Sequence, residues 1–233
     1  MDGRRLSEAS TGRAAFDELP RRLDAVRSRI SHAGGRDDVR IVAVTKGFGA
    51  DAVAAAVEAG LEDVGENYAD ELVAKHSSLP PATCRWHFLG RVQRNKVRRL
   101  AGRVSLWQGV DRVAAGEEIA RRSPGAEVLV QVNVTGDERR NGCGFDEVAG
   151  LVDALSTLGV NVRGLMAVGR PDDPDGARRD YRRVAGLSQG LGLPESSMGM
   201  SDDLEVAVQE GATMVRVGRA LFGPRSAADH LRR

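Results

Sequence analysis

The feature that most constrains the fold is a regular alternation of short apolar runs and longer amphipathic stretches along the 233 residues. Amphipathic stretches predict seven helices between the runs, one helix in front at about 13–33, and a short helix after Gly218. Runs that are apolar on both faces and separated by helices are typical of a parallel sheet covered on both sides. Eight runs predict strands: 39–46, 62–67, 84–90, 104–110, 127–133, 162–168, 196–200 and 213–218.

Eight such units in one chain indicate a closed α/β barrel of the (β/α)8 TIM type with an extra N-terminal helix. An open, doubly wound sheet is the alternative, although no Gly-rich dinucleotide-binding motif follows the first strand. No Pro/Ser-rich linker divides the chain, so we expect a single domain over 1–233, with about 1–12 flexible. The segment RPDDPDG at 170–176 predicts an exposed loop.

Composition excludes several classes of protein. The 34 basic and 33 acidic residues give a net charge of +1, which argues against nucleic acid as a partner. Neither a membrane-spanning run nor a secretory signal is visible, so we expect a cytoplasmic protein with no membrane partner. The two cysteines cannot build a disulfide framework, and no spacing indicates a metal site. No long exposed apolar face is visible, which favours a monomer.

Lysine is rare in this chain. Of the 34 basic residues, 31 are arginine and three are lysine: Lys46, Lys75 and Lys96. Each lysine is therefore informative, because arginine cannot replace an amine that must lose its proton and attack a carbon. Lys46 ends the first predicted strand, where a partly desolvated amine can form a Schiff base with an aldehyde. A lysine that reaches from a strand end into solvent is the ordinary alternative.

The C-terminal part of the chain suggests an anion site. Ser201 precedes a predicted helix at 202–210, so it is expected to cap that helix, and the same position suits an anion. Gly218 allows the backbone of Gly218 and Arg219 to approach a ligand closely. These residues follow the last two strands, where barrels of this type often bind phosphate. For Arg216, a buried salt bridge and a ligand contact are equally open.

Four other features are weaker. Asn67 is expected to cap the next helix, and His87 to be an ordinary half-buried histidine. Cys143 is interpreted as a loop residue. The basic stretch Val92–Arg103 is interpreted as a solvated helix face in an arginine-rich chain, and a second ligand or partner site there is left open.

Seven short motifs occur in an order that resembles a known family. The chain resembles the pyridoxal phosphate homeostasis protein family, which is related to the N-terminal barrel of alanine racemase, a fold type III barrel that binds pyridoxal phosphate. The motifs are AVTK at 43–46, GENY at 65–68, WHFLG with QRNK at 86–96, QVN at 131–133, GLMAV at 164–168, SMGMSDD at 197–203 and TMVRVG at 213–218.

The resemblance implies a cofactor, pyridoxal 5′-phosphate (PLP), and a set of residues that bind it. Lys46 would hold the cofactor as a Schiff base. Ser201 and the backbone amides of Gly218 and Arg219 would hold its phosphate. The full set is Lys46, Asn67, Met166, Ser201, Arg216, Gly218 and Arg219.

The remaining implied roles bear on catalysis. Arg216 would face the pyridine nitrogen, Asn67 would lie near the lysine and the ring hydroxyl, and Met166 would line the pocket. The pKa of an arginine is too high for it to protonate that nitrogen, so the ring would be a weak electron sink. Racemisation also needs a second acid/base group, which alanine racemase takes from another domain; Tyr68 and Tyr181 are not obvious substitutes.

The leading interpretation is therefore a PLP-binding protein of vitamin B6 homeostasis rather than an enzyme. It would hold PLP reversibly on Lys46 and deliver it to apo-enzymes. One alternative is a minimal PLP-dependent racemase or another enzyme that transforms amino acids. A further alternative is a cofactor-free barrel enzyme that acts on a phosphorylated metabolite.

Overall fold

Eight parallel strands pair in chain order and close on themselves, because β1 pairs with both β2 and β8. The computed structural model describes residues 16–36, 38–170 and 172–224. This closure confirms the predicted (β/α)8 barrel and makes the open-sheet alternative wrong. The strands are β1 (Arg40–Val44), β2 (Asp63–Glu66), β3 (Arg85–Phe88), β4 (Leu106–Val110), β5 (Glu127–Val132), β6 (Asn161–Ala167), β7 (Glu195–Ser197) and β8 (Met214–Val217).

Each strand overlaps one predicted run, and all but β4 end before the run does. The last residues of those runs leave the sheet and form the loops at the carboxyl end of the barrel. The apolar runs therefore extend past the ends of the strands, because residues in a loop do not need to pair with a neighbouring strand.

The described part of the chain contains nine helices, the number predicted. One helix precedes the barrel, and the others follow the strands. They are α1 (Leu19–His32), α2 (Ala50–Glu58), α3 (Ala69–Ser78), α4 (Arg94–Leu100), α5 (Val113–Arg122), α6 (Val148–Thr157), α7 (Pro174–Gly190), α8 (Leu204–Gln209) and α9 (Arg219–Phe222).

Two predicted boundaries need correction. Helix α1 begins at Leu19, after a turn at 16–18, because Pro20 is tolerated only in a first helical turn. Residues 13–15, like the segment 1–12 predicted to be flexible, lie outside the described residues.

The predicted loop at 170–176 is also too long. Helix α7 begins at Pro174, and Asp173 Oδ1 accepts a hydrogen bond from the Gly176 N–H at 2.8 Å. An acidic cap followed by proline is a strong helix-start signal, and here it outweighs the loop composition.

Two apolar clusters hold the fold together. The larger one lies between the sheet and the helices and includes the fully buried Trp107 and Tyr181. The smaller one lies inside the barrel, with Val42, Leu129 and Met166 among its members. Polar side chains are also buried there, so the prediction of strands that are apolar on both faces is wrong for the inner face. These polar residues include Asp63, His87, Gln108, Gln131, Ser197 and Arg216.

Three further predictions concern properties of the whole chain. No helix within the described ranges is long and apolar enough to cross a lipid bilayer. The same ranges contain no group of three or more His, Cys, Asp or Glu side chains placed to hold a metal ion. The single domain over 1–233 stays a prediction.

Candidate functional site

A cavity of about 570 Å³ opens at the carboxyl end of the barrel. Its volume lies in the range of about 300–1,000 Å³ that is usual for small-molecule sites. All seven residues predicted to bind a cofactor lie in its wall: Lys46, Asn67, Met166, Ser201, Arg216, Gly218 and Arg219.

The rest of the wall is mainly apolar. The whole wall therefore combines hydrophobic surfaces with an amine, two guanidinium groups and one carboxylate, a composition that suits a planar ring with an anionic group. The other lining residues are Val44, Phe48, Leu89, Val168, Met200, Asp202, Gly223 and Pro224.

Lys46 lies in a tight turn directly after β1 and is half-buried. The Phe48 N–H donates to the Thr45 carbonyl oxygen at 3.0 Å, which closes the turn. Gly47 has a φ of 80°, a conformation that glycine adopts without strain. The sequence after Lys46 therefore turns the chain sharply and leaves the lysine in the cavity wall.

Arg216 is a buried cation held by neutral groups. It is 5% exposed, and its Nη1 donates to the carbonyl oxygen and to Oγ of Ser197, each at 2.7 Å. Its Nη2 donates to the Ala167 carbonyl oxygen at 2.7 Å. Burial lowers the pKa of Arg216, while nearby Tyr181 and Asp203 act in the opposite direction. In the described part of the chain no carboxylate forms a salt bridge with it, so the structural salt bridge considered above is not found.

A chain of hydrogen bonds continues from that guanidinium through the barrel interior. Ser197 Oγ donates to Gln108 Oε1 at 2.7 Å, and Gln108 Nε2 donates to His87 Nδ1 at 2.8 Å. His87 Nε2 lies 3.0 Å from Asp63 Oδ1, so the histidine carries its proton on Nε2. Asp63 also accepts from Arg85 Nε and Nη2 at 2.8 and 3.0 Å. Burial raises the pKa of Asp63, but hydrogen bonds from His87 and Arg85 outweigh it, and the pKa lies below its ordinary value.

Most members of this chain of hydrogen bonds were not predicted from the sequence. His87 is fully buried between two partners, so the prediction of a half-buried histidine is wrong in degree. Asp63, Gln108 and Ser197 were not predicted as site residues, because their partners lie on other strands and no local pattern indicates them. Of the three, Gln108 carried the clearest sequence signal, a polar residue inside an otherwise apolar strand.

Ser201 connects the two loops expected to bind an anion, but it does not cap the helix that follows it. Helix α8 begins at Leu204 with Asp203 in the cap position, and Asp203 Oδ1 accepts from the Met200 N–H at 2.6 Å. Ser201 Oγ instead accepts from the Ala220 N–H at 3.2 Å, at the start of α9. The predicted cap of helix 202–210 is wrong, because a turn at 201–203 places Ser201 too far from the first helical amides.

Gly218 and Arg219 complete this side of the cavity. A Cβ at Gly218 would lie 3.2 Å from the Val44 carbonyl oxygen, so a side chain there would crowd the end of β1. The Arg219 guanidinium donates to the Asp202 carboxylate, and both side chains are exposed at the mouth of the cavity. The side of the cavity that is predicted to bind an anion is therefore built from two neighbouring loops.

Three weaker predictions have mixed outcomes. Asn67 lines the cavity, and the cap position of α3 is held by Tyr68 without a side-chain cap, so the expected Asn67 cap is wrong. The stretch Val92–Arg103 includes α4, whose arginines are exposed, as expected of a solvated face. Cys143 lies in a loop but is buried, with Sγ 3.5 Å from the Gln131 carbonyl oxygen, and burial raises the pKa of its thiol to about 11.

Comparison with known proteins gives consistent matches. Residues 17–226 match the family model of the alanine racemase N-terminal domain. The pyridoxal phosphate homeostasis protein of Pseudomonas aeruginosa is 40% identical over 205 residues, covering 84% of this chain and 89% of the relative. The protein of the same name from Aquifex aeolicus is 34% identical over 224 residues, covering 91% and 98%. The structure of PipY from Synechococcus elongatus with PLP bound superposes with a TM-score of 0.77 at 30% identity, covering 88% of this chain and 100% of PipY.

These matches extend over nearly the whole barrel. They agree with the order of motifs along the sequence and with the closed barrel in the structure. The chain belongs to the alanine racemase N-terminal domain family and, within it, to the pyridoxal phosphate homeostasis proteins.

Proposed function

We propose that this chain binds PLP in the cavity at the carboxyl end of the barrel and acts in PLP homeostasis. The observation that carries the proposal is the convergence of Lys46, Arg216 and Ser201 on one cavity from strands far apart in sequence. Lys46 would hold this ligand, because PLP carries an aldehyde with which a lysine amine can bond reversibly. The related PipY structure with PLP bound supports the choice of ligand.

The residues present fit this ligand. Val44 and Met166 offer apolar surface to a planar ring. Ser201, with the backbone after Gly218, offers hydrogen-bonding groups to a phosphate, and the Arg219 guanidinium, paired with Asp202, lies beside them. The Arg216 guanidinium, held by carbonyl oxygens, offers a donor to the ring nitrogen but does not give up its proton.

The site favours binding over catalysis. Among the described residues, the ionisable groups that line the cavity are Lys46, Asp202, Arg216 and Arg219. Tyr181, a possible second acid/base group, is fully buried and donates to Asp203 Oδ2 at 2.6 Å. Burial also raises the pKa of Tyr181, so it is a poor base at neutral pH.

The position of the cavity suits a carrier. Its mouth is lined by the exposed side chains of Met200, Asp202 and Arg219. A ligand held there is within reach of water, which is needed to hydrolyse a Schiff base. We propose that the protein acts as a monomer, releases PLP in this way and delivers it to apo-enzymes in the cytoplasm.

The first experiment is a visible absorption spectrum of the protein with and without added PLP. We expect a yellow band in the parent protein and none in Lys46→Ala, because the band needs the lysine amine. Lys96→Ala removes a lysine from α4 and is the matched control. Borohydride reduction followed by peptide mass spectrometry should place the label on Lys46. A parent that stays colourless with PLP contradicts the proposal.

A second experiment separates a carrier from an enzyme. The loaded protein is mixed with the apo-form of a PLP-dependent enzyme, with a phosphatase present to destroy free PLP. Recovery of activity despite the phosphatase supports delivery by contact, and loss of recovery indicates release into solution. Exchange of the α-proton of an amino acid with solvent deuterium, abolished by Lys46→Ala, would instead indicate a racemase-like enzyme.

A further inference from the structure

A buried group of charges lies behind the turn that contains Lys46. Lys75, on α3, is 5% exposed, and its ammonium contacts three oxygens. Lys75 Nζ donates to the Thr45 carbonyl oxygen at 2.8 Å, to Glu66 Oε1 at 2.5 Å and to Glu71 Oε2 at 3.3 Å. Lys75 is one of the three lysines of the chain, and binding of PLP as proposed above does not use it. We call Glu66, Glu71 and Lys75 the outer cluster.

The two carboxylates of the outer cluster also bind the turn directly. Thr45 Oγ1 donates to Glu66 Oε1 at 2.6 Å. The Gly47 N–H donates to Glu71 Oε2 at 2.7 Å. The Thr45 carbonyl and hydroxyl and the Gly47 amide, on either side of Lys46, are therefore all bound by side chains of β2 and α3.

Stability alone is a poor reason for such a cluster. Glu66 is fully buried, and within the described residues its Oε2 has no hydrogen-bond partner. Buried ion pairs often contribute no more than well-packed apolar side chains, because desolvation offsets their attraction. Apolar residues, however, cannot bind the backbone of a turn, so the contacts with Thr45 and Gly47 are what the charges add.

The identity of the cation supports this interpretation. An ammonium has three N–H donors on one nitrogen, and Lys75 Nζ has three oxygen partners. A guanidinium is planar and has five donors in a fixed fork, which does not match three oxygens converging on one point. In a chain with 31 arginines, a lysine at this position is therefore consistent with a geometric requirement.

We propose that Lys75, with Glu66 and Glu71, is a positioning group that holds the Thr45–Gly47 turn so that the Lys46 amine is presented to the ligand in the cavity. The proposal rests on the proposed function, since it concerns how the PLP-binding lysine is placed. Lys75 itself stays bound to its three oxygens and does not form a bond with the ligand.

The first test uses the full-length protein without ligand. Hydrogen–deuterium exchange is compared for the parent, Lys75→Met, Glu71→Gln and the control Lys96→Met. Amides of the segment 45–48 should exchange about tenfold faster or more in the two cluster variants, as expected from the loss of a hydrogen bond to a charged group. Exchange in β5, on another part of the barrel, should match the parent. Unchanged exchange at 45–48 in folded variants overturns the proposal.

The second test measures PLP binding by the visible band. Lys75→Met should bind PLP about tenfold more weakly and attach it more slowly to Lys46, whereas Lys96→Met should match the parent. Lys75→Arg should not restore binding, because charge without the geometry of an ammonium is insufficient. If Lys75→Met fails to fold, PLP binding by Glu71→Gln tests the proposal instead. Glu71 is only partly buried, so this variant is expected to fold.

The outcomes separate the two proposals. A parent protein without a visible band after addition of PLP overturns the proposed function, and the positioning role toward PLP fails with it. If the parent shows the band and the folded cluster variants bind PLP with the parental affinity and attachment rate, only the positioning role is overturned.

Discussion

Two buried polar regions reach the cavity from opposite faces of the same barrel sheet. The outer cluster lies between the sheet and α3, and its charges pair with one another beside the Lys46 turn. The second region, which we call the interior chain, lies inside the barrel and ends at the Arg216 guanidinium; it consists of Asp63, His87, Gln108 and Ser197.

The two regions differ in what their charged groups bind. The outer cluster uses its ions to bind backbone and hydroxyl groups of the turn. The interior chain holds Arg216 through a hydroxyl and carbonyl oxygens, and no carboxylate in the described residues neutralises it. In the roles proposed above, one region would fix the position of the Lys46 amine, and the other would keep the Arg216 cation available to a ligand.

The largest expected effect comes from breaking the outer cluster. Glu66→Ala removes the shared acceptor of Lys75 and Thr45 and leaves a buried ammonium poorly paired. Losing one partner of a buried pair costs about 3–5 kcal/mol of the free energy of unfolding. Urea denaturation at pH 7 measures it, with Glu71→Ala as the partly exposed comparison, which should lose less. A loss for Glu66→Ala no larger than that of Glu71→Ala would contradict this view of the cluster.

A smaller effect is expected from breaking the interior chain. Ser197→Ala leaves Gln108 Oε1 without its donor, while Arg216 keeps the Ser197 carbonyl oxygen. An unsatisfied buried acceptor costs about 1–3 kcal/mol, so the unfolding free energy should fall within that range. Ser196→Ala, at the neighbouring buried serine outside the interior chain, is the matched control. Equal losses of unfolding free energy in the two serine variants would show that the interior chain does not contribute to stability.

The smallest effect is a difference in pH dependence between the two carboxylates. The pKa of Asp63 is lowered, so its contribution to stability is present above its unfolded pKa of about 3.9 and is lost as the pH falls through the folded value. Burial raises the pKa of Glu66 despite Lys75, so its contribution is present below an unfolded pKa of about 4.3 and declines as the pH rises toward the folded value.

These opposite signs give a direct measurement. The free energy of unfolding of Asp63→Asn and Glu66→Gln is followed from acid to neutral pH beside the parent. The deficit of Asp63→Asn should grow as the pH rises, whereas the deficit of Glu66→Gln should shrink. Deficits that change with pH in the same direction would contradict the contrast between the two regions.

The sequence predicts the fold better than it predicts the polar contacts. The order of strands and helices follows from local periodicity, and Lys46, Ser201, Arg216 and Gly218 follow from strand ends and the family motifs. The hydrogen bond between Ser197 and Gln108 joins residues 89 positions apart, which no local pattern encodes. Lys75 was noticed for its rarity, but its contacts depend on the packing of α3 against β2 and the turn that follows β1.

Hydrophobic period by itself predicted an eight-unit barrel, lysine rarity and a strand end pointed to Lys46, and the ordered motifs indicated the family. Each of these depends on residues close together in the chain or on counts. Only the tertiary structure decided that Ser201 Oγ accepts from an amide of α9, that a polar chain fills part of the barrel interior, and that Lys75 donates to the Thr45 carbonyl oxygen in the Lys46 turn. The physical reason is that a buried polar group must find a partner wherever closure of the barrel brings one, however distant it is in sequence.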